Sequence, residues 1–310
     1  MKLRVAIYLL LLVVAGSLVT CTDHSVPGVT PGSSPARLRV KSLTSELPNN
    51  VAKVSSFTYD GQGRLSSILT YQTPDSTVAE LVYNVYLYDS QNRLTRLQRT
   101  RIPFPRPQNN QSVDGTSYVY SYNALGQVSA INAPNMLAWT YSYNAANQLA
   151  RAVSRFSLPQ FTIEGDIQFA FTGKNLTQTT GGTIIRYQGM PPGTSDRFPG
   201  VGPATYTHDD KINPFYGIPV IPPFTGGFGT VLSGPTSPGA LFGGTDNVLN
   251  LSQNNVLSET PPSGQGYPLV TYQYQYNATN LPTVRIKTTG LPNPTGSVTI
   301  ETLRFEYESY

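Results

Sequence analysis

Tyr59-Asp60-Gly61-Gln62-Gly63-Arg64-Leu65-Ser66-Ser67-Ile68 decides the fold, because the chain keeps rewriting it. The stretch returns as Tyr88-Asp89-Ser90-Gln91-Asn92-Arg93-Leu94, as Tyr122-Asn123-Ala124-Leu125-Gly126-Gln127-Val128 and as Tyr143-Asn144-Ala145-Ala146-Asn147-Gln148-Leu149. Each copy is an aromatic residue, Asp or Asn, two loose positions, Gly or Asn, a polar residue, then Leu or Val. Asp suits the first position of a type I turn, and Gly suits the left-handed residue that follows in a bulged hairpin. Asn92 and Asn147 stand where Gly63 does, and Asn tolerates that conformation nearly as well. Pairing Asp60 with Arg64 sets Tyr59 opposite Leu65 on one face, a cross-strand contact that contributes roughly 0.2–1 kcal/mol. The repeat predicts a hairpin turn with its own core contact.

Outward from these turns the chain alternates strand-like runs with turn signals. Tyr118, Tyr120 and Tyr122 stand two apart, as do Trp139, Tyr141 and Tyr143, which puts aromatic rows on one sheet face. Leu81, Tyr83, Val85 and Leu87 form another row, and the intervening Val82, Tyr86 and Tyr88 predict a strand covered on both faces. Degraded copies follow: Phe169-Ala170-Phe171-Thr172-Gly173-Lys174-Asn175-Leu176, one residue short in its turn, and Tyr272, Tyr274 and Tyr276 ahead of Asn277-Ala278-Thr279-Asn280-Leu281. Tyr59, Tyr88, Tyr122, Tyr143 and Phe171 are 29, 34, 21 and 28 residues apart. Such uneven spacing fits hairpins with variable far-end loops better than a strict solenoid. In the last strand Leu303, Phe305 and Tyr307 alternate with Arg304, Glu306 and Glu308, one face buried and the other wet.

Composition agrees. Only 12% of the 310 residues are charged, while Tyr numbers 20, Gly 27 and Pro 26, which favours strands over helices. The residues predict an all-β fold, one antiparallel up-and-down hairpin sheet, strongly curved or barrel-like, over 37–310, with the repeats at 57–152. A membrane-spanning barrel needs an outward apolar band, and Gln273, Gln275, Arg304 and Glu306 oppose one.

The N-terminus carries an address. Residues 1–20 have the parts of an export signal: Lys2 and Arg4, then an apolar run from Val5 to Ala15, too short to cross a bilayer comfortably. Leu18-Val19-Thr20-Cys21 resembles the lipobox of bacterial lipoproteins, with Thr in place of the usual small residue before the Cys. That resemblance implies lipidation of Cys21, a membrane anchor, and a place in the cell envelope, at the outer membrane. Residues 21–36, rich in Pro, Gly, Ser and Thr, read as a flexible tether, with His24 a solvated part of it. Cys21 is the only cysteine, so neither an intramolecular disulfide nor a cysteine metal site can form. Losing Lys2 and Arg4 with the leader lowers the formal charge from +4 to +2, too weak a balance to argue for nucleic acid.

Residues 190–245 break the pattern, with 10 Pro and 11 Gly yet many apolar residues, and predict an ordered, irregular insert packed on or inside the sheet. The stretch 247–256 has the makings of one short helix. Glu164 and Asp166 flank Gly165 and read as a tight turn rather than a carboxylate pair. His208, beside Asp209 and Asp210, is the candidate site: such a cluster could seat a metal or a general base, though it also occupies the aromatic position of the repeat, where an Asp/Asn turn accounts for it. No nucleophile elbow, phosphate loop or His-Glu-x-x-His motif appears, and no cofactor is expected.

The first repeats resemble the YD repeat of Rhs-type proteins, whose units read Tyr-Asp-x-x-Gly-Arg-Leu; the likeness spans about 100 residues, 57–152, and implies a hairpin sheet without naming an activity. The lipobox, the Tyr-x-Tyr strands, Asp209-Asp210-Lys211-Ile212-Asn213-Pro214-Phe215 and Asn254-Asn255-Val256 together resemble a Bacteroidetes lipoprotein family of unknown function with a porin-like β fold. That resemblance implies a curved antiparallel sheet approaching a barrel. The reading is of a monomeric, membrane-anchored envelope lipoprotein that binds or scaffolds a glycan or an envelope protein, its Tyr-rich faces suited to either. The alternatives are a hydrolase with its site near His208 and a purely structural envelope protein.

Overall fold

The computed structural model describes residues 38–47, 49–76, 81–102, 114–133, 137–157, 159–189, 191, 195–198, 203–217, 249–261, 268–290 and 298–310. Among the described residues, seventeen strands form one antiparallel sheet. They are Leu38–Leu47 (β1), Val51–Tyr59 (β2), Leu65–Thr73 (β3), Leu81–Tyr88 (β4), Leu94–Ile102 (β5) and Asp114–Tyr122 (β6). Val128–Ala133 (β7), Leu137–Tyr143 (β8), Leu149–Ser157 (β9), Phe161–Thr172 (β10) and Asn175–Tyr187 (β11) follow. Ser195–Phe198 (β12), Ala204–Ile212 (β13), Asn254–Thr260 (β14), Leu269–Tyr276 (β15), Pro282–Gly290 (β16) and Val298–Ser309 (β17) complete the order. Each strand pairs with its sequence neighbours, except that β12 and β13 both pair with β11 and not with each other, and β17 pairs with β1, closing a barrel. The short β12 and β13 lie side by side in sequence along β11, at Thr183–Arg186 and Gln178–Thr179 respectively, so they share one place and the barrel has 16 strand positions.

The repeated stretch makes the turns at one end, and it does so with more bonds than a hairpin needs. The Asp60 amide donates to the Arg64 carbonyl at 2.9 Å, and the Gly63 amide to the Asp60 carbonyl at 2.9 Å. The Asp60 carboxylate accepts from the Gln62 and Arg64 amides, both at 2.9 Å. Asp89, Asn123, Asn144 and Asn277 repeat this, which is why the position takes Asp or Asn. Gly63 and Gly126 have φ of 78° and 76°, and Asn92, Asn147 and Asn280 have 62°, 61° and 61°, the left-handed region that excludes most side chains. Tyr59 faces Leu65, as expected, and Tyr88 faces Leu94.

Adjacent turns are also joined to one another. The tyrosine hydroxyl of each copy donates to a carbonyl of the preceding hairpin: Tyr59 to Val40 at 2.6 Å, Tyr88 to Leu65 at 2.8 Å, Tyr122 to Leu94 and Tyr143 to Val128 at 2.7 Å. Arg64 pairs with Asp60 and lies over the Tyr88 ring at 4.4 Å; Arg93 pairs with Asp89 and lies over Tyr122 at 5.0 Å. In the later copies Asn123 bonds Gln127 at 2.8 Å, and Gln127 reaches Asn147 at 3.3 Å as Arg64 reaches Asn92 at 2.7 Å. The change from Asp-Arg to Asn-Gln keeps the bonds and removes the charges.

Apolar residues face inward. Phe57, Ile68, Tyr86, Leu97, Tyr118, Tyr120, Ile131, Trp139 and Phe305 belong to one buried cluster; Ala152, Ile167, Phe169, Leu176, Tyr206, Val256 and Tyr272 to a second, with Tyr141 packed against both. The outer wall carries ion pairs, with apolar side chains such as Leu69, Tyr83, Leu87 and Val119 exposed as well. Arg151 grips Asp166 through two 2.7 Å bonds, Arg186 pairs with Glu164 at 3.0 Å, and Arg304 pairs with Glu46.

Four local expectations change. On β4 the buried row is Val82, Asn84 and Tyr86; the row of Tyr83 and Leu87 is 43% and 40% exposed, because a barrel wall has only one packed side. Glu164, Gly165 and Asp166 lie in the middle of β10, whose carboxylates face outer-wall arginines rather than a turn. The expected short helix is one 3-10 turn at Leu249–Leu251, and Asn254 already begins β14, since Asn254 and Asn255 bond across to β11 and β13. Finally, β12 and β13 fall inside the stretch read as insert, so the break in the barrel begins after Ile212; residues 218–245 of that insert lie outside the described residues.

Candidate functional site

The turn end of the barrel has a floor. After β13 the chain leaves the wall and turns inward at Asn213–Gly217, and the ring of Phe215 lies 6.0 Å from Phe57 on β2 and 6.1 Å from Phe305 on β17. Asn213 organises this entry: its amide nitrogen donates to the Leu249 and Ser252 carbonyls at 3.0 Å, and its side-chain oxygen accepts the Phe215 amide at 3.0 Å. A barrel of this strand number would otherwise hold an aqueous channel. A cavity of about 20 Å³ remains beside Phe215, lined by Asn213, Leu249, Asn255, Tyr274 and Arg285, enough for about one water.

His208, Asp209 and Asp210 serve this floor, each differently. The pairing of β13 with β14 slips between His208 and Ile212, so these residues form a bulge rather than the hairpin turn expected from the repeat. The slip turns Asp209 toward β14 and β15, where its carboxylate accepts from the Lys211 amide at 2.9 Å, the Asn255 amide at 3.1 Å, the Asn255 side chain at 3.3 Å and the Tyr276 hydroxyl. Burial, and then the bond to Asp209, push the Tyr276 phenol well above its ordinary pKa. The His208 ring is half-buried and its Nε2 lies 3.0 Å from the Ser252 hydroxyl. Burial lowers its pKa, with Asp209 opposing. Asp210 points to solvent and pairs with Lys211 at 3.2 Å.

These geometries do not assemble a catalytic group. Ser252 next to His208 is a serine–histidine pair in chemistry, but Ser252 has no exposed surface and its hydroxyl also accepts the Leu176 amide at 3.1 Å. A substrate carbonyl cannot reach it. The carboxylate that would orient the histidine is instead spent on Asn255 and Tyr276. Among the described residues no group of His, Cys, Asp and Glu could hold a metal ion. Asn255 and Tyr276 are the partners that the sequence did not assign to Asp209; the Asn254-Asn255 motif was the available signal. Cys21, His24 and the leader lie outside the described residues.

The inner wall also carries polar atoms that have no hydrogen-bond partner among the described residues. The hydroxyls of Tyr86, Tyr120 and Tyr141, the Trp139 indole nitrogen and the Nε of Arg99 and Arg285 are buried without a hydrogen-bond partner. Burial pushes the Tyr86 and Tyr120 phenols well above their ordinary pKa.

Fold and inner wall together define a class: a closed antiparallel barrel, floored at its turn end, apolar and aromatic within and ion-paired without. A solved structure of this shape is a porin-like protein from Bacteroides uniformis ATCC 8492, with 14% identity over 89% of this chain and 98% of that one and a TM-score of 0.51. A porin-like protein from Bacteroides vulgatus ATCC 8482 aligns over 88% of this chain and 99% of that one, with 11% identity and a TM-score of 0.36. The TcdB2-TccC3-Cdc42 structure aligns over 80% of this chain but 14% of its own, with 15% identity and a TM-score of 0.28. At 14% identity the likeness to the Bacteroides uniformis protein is one of fold. No protein-family model and no curated protein matches the sequence.

Proposed function

We propose that the chain is a lipoprotein of the cell envelope, tethered at the outer membrane through Cys21, whose barrel stands in water as a binding or scaffolding module for a glycan or an envelope protein. The observation that carries this reading is the set of ion pairs on the wall. A barrel that spans a bilayer is apolar outside, and a charged residue on its lipid face costs about 2–4 kcal/mol at the midplane. Here Arg151, Asp166, Arg186 and Glu164 lie on the outer wall, Glu164 and Asp166 in the middle of β10, and the aromatic residues of the core face in. "Porin-like" describes the shape. The anchor is then the lipid, since each acyl methylene adds about 0.8 kcal/mol of membrane affinity and two or more chains hold firmly. The tether 21–36 leads to Leu38, which pairs with Ser309 at the floored end. The likeness of the turns to YD repeats and of the chain to Bacteroidetes lipoproteins supports the same reading.

Exchanging residues 1–21 for a cleavable secretion signal without cysteine tests it. The protein is expected in the soluble fraction without detergent, and labelled palmitate is expected on the wild type and absent from Cys21→Ser. An exchanged protein that stays with the membrane through alkaline washing contradicts the reading.

A further inference from the structure

The small cavity between floor and wall has a lining that is unbalanced in charge. It lies between Phe215, Leu249 and Asn250 of the floor and Tyr274, Arg285 and Phe305 of the wall. Strand β16 sets Arg285 there. Its register partners are Tyr274 on β15 and Leu303 on β17, and Leu303 is buried in the core, so the Arg285 side chain leaves the inner face. Arg39, Arg64, Arg93, Arg151, Arg186 and Arg304 each pair with a carboxylate, and Lys287, two residues along β16, pairs with Glu301 at 3.6 Å. Arg285 has no such partner among the described residues. Its guanidinium lies over the Tyr272 ring at 5.6 Å, and its Nε is buried without an acceptor.

The asparagines beside it differ. Asn213 donates to the Leu249 and Ser252 carbonyls, and Asn255 to Asp209 and the Ile212 carbonyl. Asn250 is 5% exposed, and its side-chain amide has no hydrogen-bond partner among the described residues. The Asp209 carboxylate is held by the Asn255 amide and the Tyr276 hydroxyl and is not part of the lining.

A guanidinium withdrawn from water without a counter-charge is costly, so the missing charge has to come from outside the chain. Arginine only donates, so the occupant accepts. Water would accept a bond but leave the charge uncompensated. The cavity, about 20 Å³, has room for one water-sized particle, which excludes phosphate, sulfate and carboxylic acids. A monatomic anion meets every condition. It carries the charge, it accepts from several donors at once, and it is little larger than a water.

We propose that this cavity is a halide site, filled by chloride, with Arg285 as its counter-charge and the Asn250 amide as a second donor. The ion ties floor to wall where the wall is thinly paired: among the described residues β14 meets β15 at Ser258–Thr271 and Glu259–Val270 alone, and the cavity lies beside Val256 and Tyr274 of those strands. Chloride is thus a structural ligand of the floor, independent of the tether and of any ligand of the barrel.

The experiment unfolds the full chain with urea in mild detergent, at constant ionic strength, while chloride replaces gluconate, an anion too large for the cavity. Above its dissociation constant a single site raises the folding constant by up to about tenfold for each tenfold rise in chloride, and that rise is expected, with bromide acting as chloride does. Arg285→Met removes the charge, controls for general salt effects, and is expected to lose the chloride dependence while matching or exceeding wild type in gluconate. Asn250→Asp supplies a carboxylate from the chain and is expected to lose it as well, with a raised midpoint in gluconate. Equal wild-type midpoints in chloride and gluconate overturn the site, and so does a chloride dependence that Arg285→Met retains. If neither variant folds, wild-type crystals grown in bromide decide: an anomalous peak beside Arg285 and Asn250 is expected, and a cavity holding water alone overturns the proposal.

Discussion

The Tyr88 hydroxyl donates to the Leu65 carbonyl at 2.8 Å, and the ring that carries it lies 4.4 Å beneath the Arg64 guanidinium. One residue of the second turn is thereby fastened to the backbone and the side chain of the first. The repeat is a clasp between hairpins as well as a turn within one. The next two turns are fastened to their predecessors in the same way by Tyr122 and Tyr143, with 2.7 Å bonds to Leu94 and Val128.

Removing only the clasp is expected to lower stability. Tyr88→Phe and Tyr122→Phe should each cost roughly 0.5–1.5 kcal/mol in urea unfolding, the net worth of a hydrogen bond. Tyr86→Phe, whose hydroxyl has no partner, should cost nothing or stabilise. Equal losses at all three positions would contradict the clasp.

The left-handed turn residues make a second test. Asn92 has φ of 62° and Asn147 has 61°, conformations that cost a β-carbon residue roughly 1–2 kcal/mol. Alanine at either position loses both the bond from Arg64 or Gln127 and the tolerance of a left-handed backbone and is expected to destabilise by about 1–2 kcal/mol, while glycine loses the bond alone and should cost less. Unfolding midpoints of the two pairs decide it.

Acid should loosen the charged turns and spare the neutral ones. Burial alone would raise the Asp60 pKa, but bonds from the Arg64 and Gln62 amides and the Arg64 guanidinium outweigh it and hold it below the ordinary 3.8. Asp89 is lowered chiefly by the Arg93 amide. A carboxylate with a lowered folded pKa contributes stability that is present above its unfolded pKa and lost as pH falls through the folded one. Replacing Asp60-Arg64 and Asp89-Arg93 by Asn and Gln, the pair already used at Asn123 and Gln127, should flatten the fall in stability below pH 3.8. An unchanged acid profile in the quadruple variant would count against this origin.

At the floor, Asp209 and Asp210 should separate sharply. Asp209→Ala takes the acceptor from the Asn255 backbone amide and the Tyr276 hydroxyl and is expected to cost about 2–3 kcal/mol. Asp210→Ala removes an exposed pair with Lys211 and should change stability by less than about 0.5 kcal/mol. Comparable effects would return Asp210 to the candidate site.

Much of this was legible in the residues, because the turn repeat and the period-2 rows are local signals. Asp60 to Arg64 marks the hairpin, the spacing of Tyr118 and Tyr120 marks an inner face, and together they point to a curved sheet. What could not be read is what depends on closure. The pairing of β17 with β1 spans nearly the whole chain, so no local spacing announces it. It is closure that makes one face of β4 the core and leaves Tyr83 and Leu87 outside, where alternating apolar residues on both faces had suggested cover. At His208 the sequence offered a cluster, and Asp209 has a demanding role there. That role became visible only once the bulge in β13 brought Asn255 and Tyr276, 46 and 67 residues away, against its carboxylate.

The central claim is that the outer wall of the barrel faces water. Single cysteines at Thr140 on β8 and Gln168 on β10, both exposed near mid-strand, test it directly in membrane fragments treated with a water-soluble, membrane-impermeant maleimide. The account predicts that both positions label as fast in membranes as in detergent solution. Protection of both in membranes, with labelling only by a lipid-soluble reagent, would show a wall buried in the bilayer and contradict it.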